Sequence, residues 1–333
     1  MLQVSCRLVS GFWLVAGSAG IGFACCGVST LGRPLRFGDQ TNIIVWNASS
    51  HTEHFIRDAL FDTDAKDFGF IAPTPSKPEL AEASDLAFET LARLRPAHTR
   101  SGLFGMMDLV PGAKAVGVIV IQEKDVAGFH ATTLLASDSK ALANWMRKNG
   151  YQTTPAVETW TKFYIAKGWY LTAFKVKNSS EQASTGTVRI SFKTDEPFNP
   201  YYVPSDNIDP RNKRLLRVFF VSDASYAPTI GHTGHWTNLK WRAPVPDATA
   251  SRLAQQLKIP ASEIPAGAQV ESFEDNRFPR AVSDDIYFRP GNLQAEEETE
   301  SDAGSPLPLP LLEIGGVVVA GVIGVSFASR RRK

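Results

Sequence analysis

Cysteine is scarce in this 333-residue chain, which holds three: Cys6, Cys25 and Cys26. So few exclude a disulfide-stapled scaffold. No CxxC spacing occurs, which removes a thioredoxin-like redox pair and a cysteine-built zinc site. Adjacent Cα atoms lie about 3.8 Å apart, below the usual disulfide span, so a Cys25–Cys26 bridge would be strained. Charge of one sign is also lacking, the formal net charge being +1. Setting aside Arg7, Glu313 and the closing Arg330, Arg331, Arg332 and Lys333 leaves a slightly acidic body, unsuited to nucleic acid. GxSxG, P-loop, HExxH and GxGxxG signatures are all missing. "DTDAKD" places Lys66 at a ligand position and Asp67 at the required glycine of a calcium loop, excluding an EF-hand. No cofactor is expected.

What is present first is an address. Arg7 precedes a short apolar stretch, and Gly22, Phe23 and Ala24 put small residues at the −3 and −1 positions of a cleavage before Cys25. Residues 1–24 read as a signal peptide, with a cut near Ser18 or Ala19 as the alternative. A lipoprotein signal wants a branched residue three places before the modified cysteine, where Gly22 stands. Cys25 and Cys26 are therefore candidate thiols, and Cys25 a weaker candidate for lipidation. Residues 311–329, "LLEIGGVVVAGVIGVSFAS", carry one charge and run into "RRRK". At about 1.5 Å per residue such a helix nearly spans a ~30 Å hydrocarbon core, with the basic tail cytoplasmic. Gly316, Ala320, Gly324 and Ala328 form a small-residue face on which two such helices pack, a route to a homodimer. Between domain and anchor, residues 294–310 are acidic and then proline-alternating, the composition of a stalk.

Residues 25–293 are expected to form an extracytoplasmic α+β domain of mixed or antiparallel sheets with a few helices, joined to one C-terminal transmembrane helix. "TNIIVWN" and "HFIRDALF" read as paired strands across a polar turn. "AVGVIVIQ" reads as a buried central strand, and residues 161–176 as a hairpin turning at Lys167-Gly168. Val188, Ile190 and Phe192 share one face of a strand, and "RLLRVFFV" makes another. Ser76 and Glu79 have the spacing of a capping box opening a helix whose stripe is Leu80, Ala83, Ala87, Leu91 and Leu94. A second helix is predicted from Asp138 to Asn149-Gly150, a third over residues 248–257.

"QTNIIVWN", "EHFIRDALF", "DFGFIAPTPSKPELAEA", "WMRKNGY", "GWYLTAFKV" and "RISFKTDEPFNPYYVP" follow one another in an order that resembles a bacterial family of exported proteins, domain of unknown function 2330. The resemblance covers about residues 25–221, and Cys26-Gly27 is similar to how such chains begin. It implies an extracytoplasmic place at the bacterial envelope, and it brings no activity and no catalytic residues. The prolines of "FGFIAPTPSKP" read as an extended exit from a core strand. "EPFNPYYVP" reads as a turn laying aromatics over a sheet edge.

Two HxxH pairs remain, His51/His54 and His232/His235. Positions i and i+3 of a strand face opposite ways, which sets the first aside. His232 and His235, with Asp223 nearby in sequence, are weak candidate zinc ligands, since zinc wants three or four converging groups. The favoured expectation is a single-pass, membrane-anchored envelope module that binds or organises an envelope protein or ligand. The alternative is an envelope hydrolase, metal-assisted through the second pair. A third reading makes the C-terminal apolar helix a sorting signal that a protease removes.

Overall fold

A computed structural model describes residues 26–29, 36–37, 39–57, 61–62, 68–96, 118–176, 186–208 and 213–295. The expected signal peptide, Cys25, residues 63–67 of "DTDAKD" and the C-terminal apolar segment lie outside them. Strands are numbered in chain order. One sheet runs β1 (Cys26–Ser29), β6 (Phe68–Thr74), β10 (Tyr170–Val176), β9 (Phe129–Ala136), β8 (Val118–Val126). A seven-stranded sheet runs β16 (Leu239–Pro244), β17 (Gln269–Phe278), β13 (Arg214–Ser222), β3 (Gln40–Asn47), β4 (Thr52–Arg57), β11 (Val188–Lys193), β7 (Glu79–Glu82). A smaller one runs β12 (Phe198–Asn199), β18 (Ile286–Pro290), β14 (Tyr226–Ile230), β15 (Gly234–His235), and β2 (Arg36–Phe37) pairs with β5 (Phe61–Asp62). The described strand pairs are antiparallel except β13 beside β3, so the seven-stranded sheet is mixed and the others are antiparallel. The helices α1 (Leu86–Ala92), α2 (Ser139–Lys148), α3 (Pro155–Ala166) and α4 (Asp247–Leu257) complete an α+β body.

Period-2 alternation sorts the strands' side chains into layers. Val188, Ile190 and Phe192 of β11 face inward, as expected, and join Phe70, Phe129, Phe174 and Phe220 in a core between the two large sheets. The opposite face of the seven-stranded sheet carries Ile43, Val45 and Ile56 against Leu91 of α1 and Leu253 and Leu257 of α4. On the outer face of the five-stranded sheet, Ile71, Leu134 and Leu171 pack on Met146 of α2 and Trp160 and Tyr164 of α3. Close packing sets one glycine: a Cβ at Gly69 would meet the Phe174 carbonyl oxygen at 1.9 Å, so the "DFGF" glycine lets β6 lie beside β10.

Three predicted elements come out differently. Residues 161–166 are helical, not the first arm of a hairpin. Thr154 accepts from the Val157 N–H at 3.2 Å as N-cap, Pro155 takes the first helical position, and Trp160 with Tyr164 fills one buried face. The expected turn at Lys167-Gly168 is the end of α3: Gly168 has φ +73°, and the N–H groups of Gly168 and Trp169 close on the Ile165 and Tyr164 carbonyls. Its aromatic, β-branched composition resembles a strand, and burial on the sheet decided otherwise. β8 is an edge strand rather than a central one, with Ile119 and Val120 50% and 47% exposed. Residues 79–82, predicted helical, form β7. Ser76 Oγ instead donates to the Lys193 carbonyl at 2.7 Å and accepts from the Lys193 N–H at 2.9 Å, so it closes the end of β11. α2 and α4 fall where expected, α2 capped by the Asp138 side chain on Ala141 N–H.

Candidate functional site

The arrangement closest to a catalytic constellation lies on the helix-facing side of the seven-stranded sheet. His54 of β4 and Ser191 of β11 are register partners, and both are buried. His54 Nδ1 lies 2.8 Å from Ser191 Oγ, and its Nε2 lies 3.4 Å from Glu263 Oε2. Glu263 belongs to the short 3-10 turn Ala261–Glu263 beyond α4, and it also accepts from Asn47 Nδ2 at 3.3 Å and Ser50 Oγ at 3.2 Å. In the tautomer whose Nε2–H donates to Glu263, Nδ1 is left to accept the serine proton. Burial pulls the His54 imidazole below its ordinary range. Glu263 acts against that shift, and the Arg189 guanidinium reinforces it.

Such a row can pass a proton from serine to imidazole, which is the base step of acyl transfer. Acyl transfer also needs free donors for the developing oxyanion. β11 is flanked by hydrogen-bonded strands on both sides, so its backbone is engaged in the β4 and β7 ladders. The serine is therefore better placed to hold its neighbours than to attack a substrate.

A second feature is concave. The end of β9, the first turn of α2, the last turns of α3 and the start of β10 enclose a half-open hollow of about 520 Å³. Leu135, Ile165 and Tyr170 supply apolar wall, while Lys162, Asp138 and Ser139 stand on its rim. That size falls within the range of small-ligand sites.

The residues singled out from sequence do not gather in either place. His232 sits on the turn between β14 and β15 and His235 in β15, and the two have different partners. His232 Nδ1 faces the Arg289 guanidinium, and its ring is tilted over Tyr287 at 5.5 Å. His235 Nε2 lies 3.2 Å from Asn238 Oδ1 in an exposed position. A guanidinium held against His232 opposes a second cation there. Among the described residues no group of three or more His, Cys, Asp or Glu is placed to hold a metal. Asp223 is exposed and lies near Tyr226. Cys26 opens β1 opposite Ile71. Cys25, Gly316, Ala320, Gly324 and Ala328 fall outside the described residues, and among those described no helix is long and apolar enough to cross a membrane. His54, set aside in sequence with its HxxH partner, is the histidine that meets a serine and an acid. Those partners lie 137 and 209 positions away, beyond any spacing rule.

Comparison with known proteins gives a sequence family and a distant structural likeness. No curated protein matches the chain. A mutated baculovirus P35 solved after caspase cleavage at 2.7 Å resolution is similar over 78% of this chain and 96% of its own, at 7% identity and TM-score 0.34. A 3.1 Å structure of a mutated, cleaved baculovirus P35 covers 78% and 94%, at 6% identity and TM-score 0.33. Residues 21–254 match the profile described as an uncharacterized protein conserved in bacteria, a span reaching past β16 into α4 and so beyond the 25–221 region of resemblance. The chain belongs to that bacterial family, domain of unknown function 2330.

Proposed function

We propose that this protein is a membrane-tethered binding module of the bacterial cell envelope, its α+β body outside the cytoplasm. The observation that carries the binding reading is the hollow beside α2 and α3. Its apolar wall of Leu135, Ile165 and Tyr170 suits the body of a small amphipathic molecule, and Lys162 on the rim suits an anionic end. The export signal, the stalk and the apolar C-terminal segment support the tethered location.

A thermal-shift titration of the detergent-solubilised full chain with a panel of aromatic carboxylates tests the binding. Stabilisation is expected, and it should be lost in Ala166→Trp, which fills the hollow, and weakened in Lys162→Glu. No shift of the native chain by any member would remove this reading. For location, protease added to intact spheroplasts should digest the body and spare the basic tail; a protected body would place it inside.

The hydrolase reading keeps one observation in its favour, the 2.8 Å approach of Ser191 to His54. Labelling by a fluorophosphonate probe, abolished in Ser191→Ala, is what it requires. An unlabelled native chain would leave this triad a packing feature.

A further inference from the structure

Next to the hollow, whose lining includes Ala166 and Gly168, the end of α3 meets the loop between β17 and β18 through Tyr164, which donates to Asp285 at 3.0 Å, and through Lys167. Lys167 Nζ lies 3.2 Å from Asp284 Oδ1 and donates to Tyr287 Oη at 2.7 Å. Three rings wall it in, with centroids 4.0 Å away for Phe163, 4.9 Å for Trp169 and 5.3 Å for Tyr287. The pair is only partly wet, the two side chains being 28% and 30% exposed. Glu196 stands beside them, bound to Arg289 at 2.5 Å. Burial raises its acid above the ordinary range, and it feels the charges of both Asp284 and Lys167.

An exposed Lys–Asp contact is ordinary surface chemistry. This one differs in that the amine caps the end of α3 and the carboxyl stands two residues before β18, within hydrogen-bond distance of each other and beside an aromatic enclosure. Fixing two reactants in that way replaces a bimolecular encounter by an intramolecular one, worth orders of magnitude in rate.

We propose that Lys167 and Asp284 are the site of an intramolecular isopeptide bond. One ammonium proton passes to the Asp284 carboxylate, and the freed amine attacks Cγ. The Nζ–Cγ bond forms and a Cγ–O bond breaks. The departing oxygen leaves as water, carrying the transferred proton and a second proton from nitrogen. The ion pair and the amide plus water have the same atoms and the same net charge, so no oxidant, reductant or activating reagent enters. Tyr287 Oη, already accepting from Nζ, holds the amine beside the carboxyl. The bond would tie residues 117 apart in sequence and close the body across α3 and β18.

Intact mass of the full chain from its native membrane tests this, followed by protease digestion. The expected result is a mass lower by one water and a branched peptide joining the segments that contain Lys167 and Asp284. Asp284 offers a competing dehydration, because its Oδ1 also accepts from the following Asp285 N–H at 2.9 Å, the geometry that leads toward a succinimide. Lys167→Arg separates the two, since it retains the cation and cannot form the amide. Full mass restored in Lys167→Arg supports the isopeptide. A deficit that persists in Lys167→Arg, or a native chain of unmodified mass with separate Lys167 and Asp284 peptides, overturns it.

Discussion

Glu53 and Asp285 are both carboxyl groups with no solvent-exposed surface, and they sit in two differently built parts of the molecule. Glu53 points from β4 into the core between the large sheets. One oxygen accepts from the Phe198 N–H at 2.9 Å, and the other has no hydrogen-bond partner among the described residues. Asp285 lies where α3, β12 and β18 converge. It accepts from the Tyr201 and Tyr202 N–H groups at 2.8 and 2.9 Å and from the Tyr164 hydroxyl at 3.0 Å. Burial raises both acids. Glu53 stands well above the carboxylate range, while Asp285, opposed by the Lys167 charge and two backbone donors, is pushed up to about 6. Depth is the same in both places; the number of donors decides whether the charge can exist.

The comparison breaks most sharply at Asp285→Ala. That change strands two buried amides and a tyrosine hydroxyl, and should cost about 3–5 kcal/mol of unfolding free energy in urea titrations followed by tryptophan fluorescence. A loss under about 1 kcal/mol would mean that water replaces the carboxylate there.

pH supplies the next largest effect. A folded pKa raised above the unfolded value contributes stability that is complete below the unfolded pKa and disappears as pH rises through the folded one. For Asp285 the window runs from the ordinary value of 3.8 to about 6. Relative to Asp285→Asn, the native chain should lose about 2 kcal/mol between pH 4 and pH 7. Parallel urea midpoints for the two chains across that range would contradict the assignment.

Tyr164→Phe removes one donor and keeps the ring, so a loss of about 1–2 kcal/mol at neutral pH is expected. It should also move the pH window upward, which distinguishes a lost hydrogen bond from lost packing. Glu53→Gln is the mildest case. If the folded chain keeps Glu53 protonated, an amide replaces it within about 1 kcal/mol and the decline above pH 4.5 from this residue vanishes. Destabilisation beyond about 3 kcal/mol would show that Glu53 is ionised and paired.

Legibility from sequence followed the range of the interaction. The helix of residues 139–148 announced itself through Asp138 and Asn149-Gly150 because capping is local chemistry. Val188, Ile190 and Phe192 were legible because one buried face imposes period two. Residues 118–121 were misleading for a physical reason: an apolar run says that a strand can be buried, not that neighbours flank it on both sides. Thr154-Pro155 marks the start of α3 as plainly as Asp138 marks α2. That local signal was outweighed by the strand-like composition of Thr161, Phe163, Tyr164 and Ile165. Among site residues nothing local marked Ser191 or Glu263, whose meeting with His54 needs three separate strands and turns in register.

By itself the sequence determined the family, the α+β class and the strands and helices whose signals close within a few residues, since propensity, capping and alternation act over that distance. Tertiary structure alone decided which strand lies at an edge, which histidine meets a serine, and which lysine is walled by rings beside an aspartate. The first depends on which strands β9 takes as neighbours, and the other two on contacts between segments more than a hundred residues apart, where only the packing of sheets and helices sets the distance.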